Sequence, residues 1–118
     1  MRIIAIDFDG TITEDKPYPE HANIRPDAYE YIPKLFQQGY TLVLWSSRNH
    51  QYLQEAFNRL KDARLYQYFT VDYSLFNYGY TGKLEADYYI DDRMCVDMNW
   101  EQVYNYILQK EKLKVNCE

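Results

Sequence analysis

Three short apolar runs constrain this chain more than any other feature: Ile3–Ile6, Thr41-Leu42-Val43-Leu44-Trp45 and Tyr88–Ile90. Each is apolar at successive positions and too short for a helix, the pattern of a strand buried on both faces of a sheet. Each also stops at a polar group, respectively Asp7, Ser46 and the pair Asp91-Asp92. Between and after the runs lie amphipathic stretches with helical spacing. Ala28, Ile32, Leu35 and Phe36 share a stripe that opens at Pro26 and stops at Gly39, with Pro33 inside it. Leu53, Ala56, Phe57 and Leu60 follow a cap candidate at Asn49, and Trp100, Val103, Tyr104, Ile107 and Leu108 follow another at Asn99. Phe69-Thr70-Val71 reads as a further strand. Strands alternating with amphipathic helices predict βαβ units, hence a mainly parallel sheet covered on both faces: a three-layer, Rossmann-like α/β fold. A length of 118 residues predicts one domain spanning the whole chain.

Composition removes whole classes of chemistry. Four glycines (Gly10, Gly39, Gly79 and Gly82) leave no dinucleotide fingerprint and no P-loop. His21 and His50 are too far apart for a two-histidine zinc helix, and no serine stands in a Gly-x-Ser-x-Gly elbow. Cys95 and Cys117 lack metal-ligand spacing, are too few for a disulfide scaffold, and suit packing better than catalysis. The net charge of −5 argues against a grip on nucleic-acid backbone. No apolar run approaches the roughly 20 residues that span a bilayer, and the N-terminus reaches Asp7 too soon for a signal peptide. A cytoplasmic protein with no membrane partner is expected.

The polar strand ends carry the functional reading. In open parallel sheets ligands sit beyond the carboxyl ends of the strands, so Asp7, Ser46, Asp91 and Asp92 converge on one edge. Asp9, two positions after Asp7, makes four carboxylates. Two carboxylates about 5 Å apart at an effective dielectric near 20 repel by ~3 kcal/mol, so such a cluster calls for a cation. All-oxygen ligation without histidine or cysteine points to Mg²⁺.

The segment Ile6-Asp7-Phe8-Asp9-Gly10-Thr11-Ile12 after a buried strand resembles the first motif of the haloacid-dehalogenase (HAD) superfamily. Ser46 closing a hydrophobic strand is similar to its second motif, Lys83 to its basic third, and Tyr89-Ile90-Asp91-Asp92-Arg93 to its acidic fourth. The motifs keep the family's order and cover most of the chain. The resemblance implies a Mg²⁺-dependent phosphohydrolase acting on a phosphorylated substrate, small or macromolecular, through an aspartyl-phosphate. In it Asp7 is the nucleophile and Asp9 the general acid and base. Ser46 and Lys83 bind the phosphoryl group, with Gly10, Ser47 and Arg48 around the substrate. Asp7, Asp9 through its carbonyl, and Asp92 hold the metal, with Asp91 beside them. No stretch is long enough for the family's cap domain, so a small capless type is implied.

Other readings stay open beside this one. The chain resembles a receiver-like phosphoacceptor in length, but its lysine precedes the Asp91-Asp92 pair instead of following the last strand. A non-catalytic phosphate-binding module is the second alternative, disfavoured by the presence of Asp9. Lys83 stands only nine positions before Asp92, closer than the family's usual spacing, and a surface loop lysine is the less favoured alternative there. Asp97 is either a further outer acid or part of the approach to the Asn99 cap. Fourteen tyrosines are an unusual load. Those at 66–68 and 73–80 suit either a cover over an open site, including a neighbouring subunit in a homo-oligomer, or a packed aromatic edge. Residues 13–23 read as a loop, with a flap as its functional version.

Overall fold

Strand β1 (Ile3–Ile6) runs through the middle of a parallel sheet, between β2 (Thr41–Leu44) and β3 (Tyr88–Ile90). The register sets Ile6 beside Leu44 on one side and beside Ile90 on the other. The computed structural model describes residues 2–14, 22–45, 50–70, 86–91 and 99–117. Phe69 forms a single parallel bridge to Leu42, and the Thr70 amide donates to the Leu42 carbonyl at 2.9 Å. The expected strand at 69–71 therefore begins beside β2, and Val71 lies outside the described residues.

The helices are α1 (Pro26–Gln37), α2 (His50–Asp62) and α3 (Trp100–Cys117), with a 3₁₀ turn at Tyr66–Tyr68. Pro26 occupies the first turn of α1, where no intrahelical donor is lost. Pro33 withholds a donor from the Tyr29 carbonyl, but Tyr29 is exposed and solvent can replace it. After α1 the chain turns at Gly39, whose φ of +93° lies in the region that favours glycine. Asn99 caps α3 through its side-chain oxygen, which accepts from the Gln102 amide at 3.2 Å. Asn49 lies outside the described residues.

Side-chain alternation divides the core. Ile4, Ile6, Leu42, Leu44 and Ile90 face one way and pack with Ala28, Ile32 and Leu35 of α1, Ala56 and Leu60 of α2, and Trp100, Val103 and Ile107 of α3. All three helices thus bury their apolar stripes on one face. The opposite face carries Ala5 and Val43, both fully buried, packed by Ile3, Trp45, Ala86 and Tyr89. The Trp45 and Tyr89 rings meet there at 4.9 Å. The arrangement is that of a small Rossmann-like α/β domain, with the helices among the described residues all on one face of the sheet and Ala5 and Val43 buried on the other.

Two further ties position the site. Residues 12–25 close as a hairpin base: Thr13 bridges Ile24 antiparallel, Arg25 donates to Ile12 at 2.8 Å, and Glu14 donates to Asn23 at 2.9 Å. Farther along α3, Glu111 accepts from the Tyr88 hydroxyl at 2.6 Å and pairs with Arg2 at 3.3 Å, fastening the helix to the amino edge of the sheet. Burial, reinforced by that carboxylate, pushes the Tyr88 hydroxyl well above its ordinary pKa.

Candidate functional site

Backbone pairing continues one step past β1. The Asp7 amide donates to the Ile90 carbonyl at 2.9 Å, and the Trp45 amide donates to Ile6 at 2.9 Å. Asp7 therefore emerges beside Asp91, at the carboxyl ends of adjacent strands about 4.8 Å apart. The chain leaves β1 for β2 on one side and returns to β3 on the other. Such a reversal of strand order opens the crevice in which α/β sheets bind ligands. Asp7, Asp9 and Asp91 are each half-buried there.

The turn after Asp7 is held by its own backbone. The Phe8 carbonyl is approached by the amides of Thr11, Ile12 and Thr13 at 3.3, 3.0 and 3.1 Å. Gly10 sits at φ +78° and donates its amide to the Thr13 hydroxyl at 3.2 Å. Beneath the turn the Phe8 ring is fully buried. The Arg59 guanidinium lies 5.6 Å from the centre of that ring and also donates to the Ala22 carbonyl. The Thr11 hydroxyl is buried and finds no hydrogen-bond partner among the described residues.

From the other side the turn is held by the start of α3. The Trp100 indole N–H donates to the Thr11 carbonyl at 2.9 Å, and the Trp100 amide donates to Asp27 at 3.0 Å. Asp27 also accepts from Arg25 at 3.1 and 3.3 Å. Burial alone would raise the Asp27 carboxyl. The hydrogen bonds from Arg25 and the Trp100 amide, with the Arg25 charge, outweigh it and hold the group below its usual value of 3.8.

A solved structure from Bacteroides thetaiotaomicron, a conserved protein coded by a locus of that organism, superposes with a TM-score of 0.75. The two chains are 34% identical over 92% of this chain and 90% of the other. This chain belongs to the family of that conserved protein. The Bacteroides relative therefore shares the fold over most of its own length. No protein-family model and no curated protein matches the sequence.

Of the expected site residues, Asp7, Asp9, Gly10 and Asp91 lie at this strand edge and its turn. Ser46, Ser47, Arg48, Lys83, Asp92, Cys95 and Asp97 lie outside the described residues. Among the described residues no three acidic, histidine or cysteine side chains gather closely enough to hold an ion. The acids at the edge, Asp7 and Asp91 on adjacent strand ends with Asp9 in the turn, offer oxygen donors only, the donor type that hard divalent cations take. Among the described residues no helix is long and apolar enough to cross a membrane.

The aromatic group at 66–69 is a packed edge and not a cover for this site. Tyr66 and Tyr68 pack against the helix-side core, with rings 5.8 Å from Phe57 and 5.4 Å from Phe36. Because Phe69 joins β2 in parallel at Leu42, these tyrosines enter from the amino edge, opposite the carboxylates. Residues 73–80 lie outside the described residues. Four residues that shape the turn were not marked by the sequence as part of a site: Thr13, Asp27, Arg59 and Trp100. Asp27 carried a signal, an acid in a first turn; Trp100 read as one more apolar position of a helix.

Proposed function

We propose that this protein is a Mg²⁺-dependent phosphomonoesterase of HAD type, cytoplasmic, working through an aspartyl-phosphate on Asp7. The observation that supports the reading most is the pairing of the Asp7 amide with the Ile90 carbonyl at 2.9 Å. It sets the Asp7 and Asp91 strand ends side by side at the strand-order reversal, with Asp9 in the following turn, at the edge where α/β sheets take ligands.

In this mechanism the Asp7 carboxylate attacks phosphorus as the bond to the leaving oxygen breaks, forming an acyl phosphate. Asp9 delivers its proton to the leaving oxygen and then takes one from the water that opens the acyl phosphate, restoring both residues. The turn built on the Phe8 carbonyl keeps Asp9 at a fixed reach from Asp7. Ser46 and Lys83 bind the transferring group's oxygens, and Ser47 and Arg48 take part in holding the substrate. Asp7, the Asp9 carbonyl, Asp92 and Asp91 would hold Mg²⁺, which supplies neutralisation of the phosphoryl charge.

Hydrolysis of p-nitrophenyl phosphate tests the reading. Turnover is expected with Mg²⁺, lost with EDTA, and lost in Asp7→Asn with circular dichroism and melting temperature preserved. Full activity in Asp7→Asn overturns the nucleophile. Turnover unaffected by EDTA overturns the metal.

A further inference from the structure

We propose that the cavity between the start of α1 and the end of α2 binds a small zwitterion of the α-amino-acid class, its carboxylate taken by Arg59 and its ammonium by Asp62. The site is separate from the carboxylates at the strand edge and does not depend on the phosphatase reading.

The cavity measures about 410 Å³ and is lined by Asn23, Ile24, Tyr29, Arg59, Asp62 and Ala63. That volume falls within the span of small-molecule sites, roughly 300–1,000 Å³. Three pieces of chain meet there. Asn23 and Ile24 belong to the returning arm of the hairpin base, Tyr29 to the first turn of α1, and Arg59 and Asp62 to the last turn of α2. Ile24, Ala63 and the Tyr29 ring supply apolar wall, and α2 supplies charge of both signs.

The charged groups are uncommitted. Arg59 is half-buried, spends one N–H on the Ala22 carbonyl and lies 5.6 Å from the centre of the Phe8 ring. These contacts hold the guanidinium at the cavity wall and leave its other donors without partners among the described residues. Asp62 stands three positions on, close enough along the helix surface to face the same ligand. Yet Arg59 and Asp62 form no ion pair, and neither Asp62 nor the Tyr29 hydroxyl has a hydrogen bond among the described residues. Asp62 is exposed and ends α2, where the negative end of the helix adds to its attraction for a cation.

A wall of this kind selects a ligand with one charge of each sign. A phosphate ester or a dicarboxylate would set a second negative charge against Asp62, and an amine lacking a carboxylate would meet Arg59 uncompensated. The guanidinium fork matches the paired oxygens of a carboxylate. An α-amino acid carries its two charges on one carbon centre, so both can be met from neighbouring positions of one helix, with its side chain against Ile24 and Tyr29.

Titration of the isotope-labelled full chain with L-leucine, followed through amide chemical shifts by NMR, tests the site. Saturable shifts are expected at the amides of Asn23, Ile24, Asp62 and Ala63. Isocaproate, which lacks the ammonium, and isoamylamine, which lacks the carboxylate, should each bind about tenfold more weakly. Asp62→Asn should weaken L-leucine about tenfold and leave isocaproate no weaker than in wild type. Arg59→Lys keeps the charge, loses the fork, and should also weaken L-leucine about tenfold. Arg59 rests on the Phe8 ring as well, so the exposed Asp62→Asn supplies the variant in which folding is not at stake. Absence of saturable shifts up to the solubility of L-leucine, or shifts confined to other parts of the chain, overturns the proposal. So does isocaproate or isoamylamine matching L-leucine, or wild-type L-leucine affinity in folded Asp62→Asn. The phosphatase reading stands or falls separately, on p-nitrophenyl phosphate hydrolysis.

Discussion

Thr11 and Thr13 are two positions apart, both buried, and opposite in what their hydroxyls do. The Thr13 oxygen accepts the Gly10 amide at 3.2 Å and lies 3.4 Å from the Phe8 carbonyl, whereas the Thr11 oxygen has no partner among the described residues. Valine matches threonine in shape and branching, so each Thr→Val change isolates the hydroxyl. At Thr11 it removes a polar group that was desolvated without return, a cost of about 1–3 kcal/mol. At Thr13 it strands the buried Gly10 amide, which costs a similar ~1–3 kcal/mol. An unfolding entropy of about 2.1 cal/mol/K per residue makes 1 kcal/mol equivalent to ~4 °C in a chain of this length. Thr11→Val should therefore raise the melting temperature by about 4 °C or more, and Thr13→Val should lower it by at least about 4 °C. Calorimetry on the two variants at one scan rate reads the difference directly. A fall in Thr11→Val, or shifts of the same sign in both, would refute the assignment of a satisfied and an orphaned hydroxyl.

Two other perturbations test the frame around the site. Asp27 has its carboxyl held low in the folded state, so its contribution is present above the unfolded value and disappears as pH falls through the folded one. Asp27→Asn should thus lower stability by about 1 kcal/mol at pH 7, with the gap to wild type closing below about pH 4; urea midpoints at both pH values check this, and a gap that widens in acid contradicts it. Gly39→Ala meets no neighbouring atom within 4 Å, so its cost is purely that of φ +93°. A loss of about 1 kcal/mol or more is expected from the urea midpoint with unchanged slope, and an unchanged midpoint would show that the turn relaxes.

What the sequence made legible is what local chemistry decides. The strand ends at Asp7 and Asp91, the Pro26 start, the Gly39 stop and the Asn99 cap all depend on residues within a turn of one another, and each is where spacing puts it. What it hid depends on long-range placement. No pattern signals that an indole in α3 will meet the Thr11 carbonyl, or that Arg59 of α2 will reach back to Ala22. The tyrosines at 66–68 misled for a related reason. Their amphipathic rings suit a cover or a packed edge equally, and only the parallel bridge at Phe69 decides which end of the sheet they occupy. The candidate site divides the same way: its carboxylates could be listed from spacing, but the ties that fix the turn under Asp9 could not.

The central place of β1 has a consequence for biogenesis. Of the three strands of the sheet it is synthesised first, yet both its edges await partners made later, β2 and then β3, and its adjoining turn awaits Trp100. A nascent chain released before residue 100 carries a paired β1 with the turn's outer bond unmade. Non-local pairing of this kind slows folding, and at roughly 5–20 residues per second the gap between synthesis of β1 and of α3 lasts seconds. For most of that interval, until β3 is made, the apolar Ile3–Ile6 segment is a strand without both neighbours, so the nascent chain, more than the finished protein, is where aggregation and chaperone capture will concentrate.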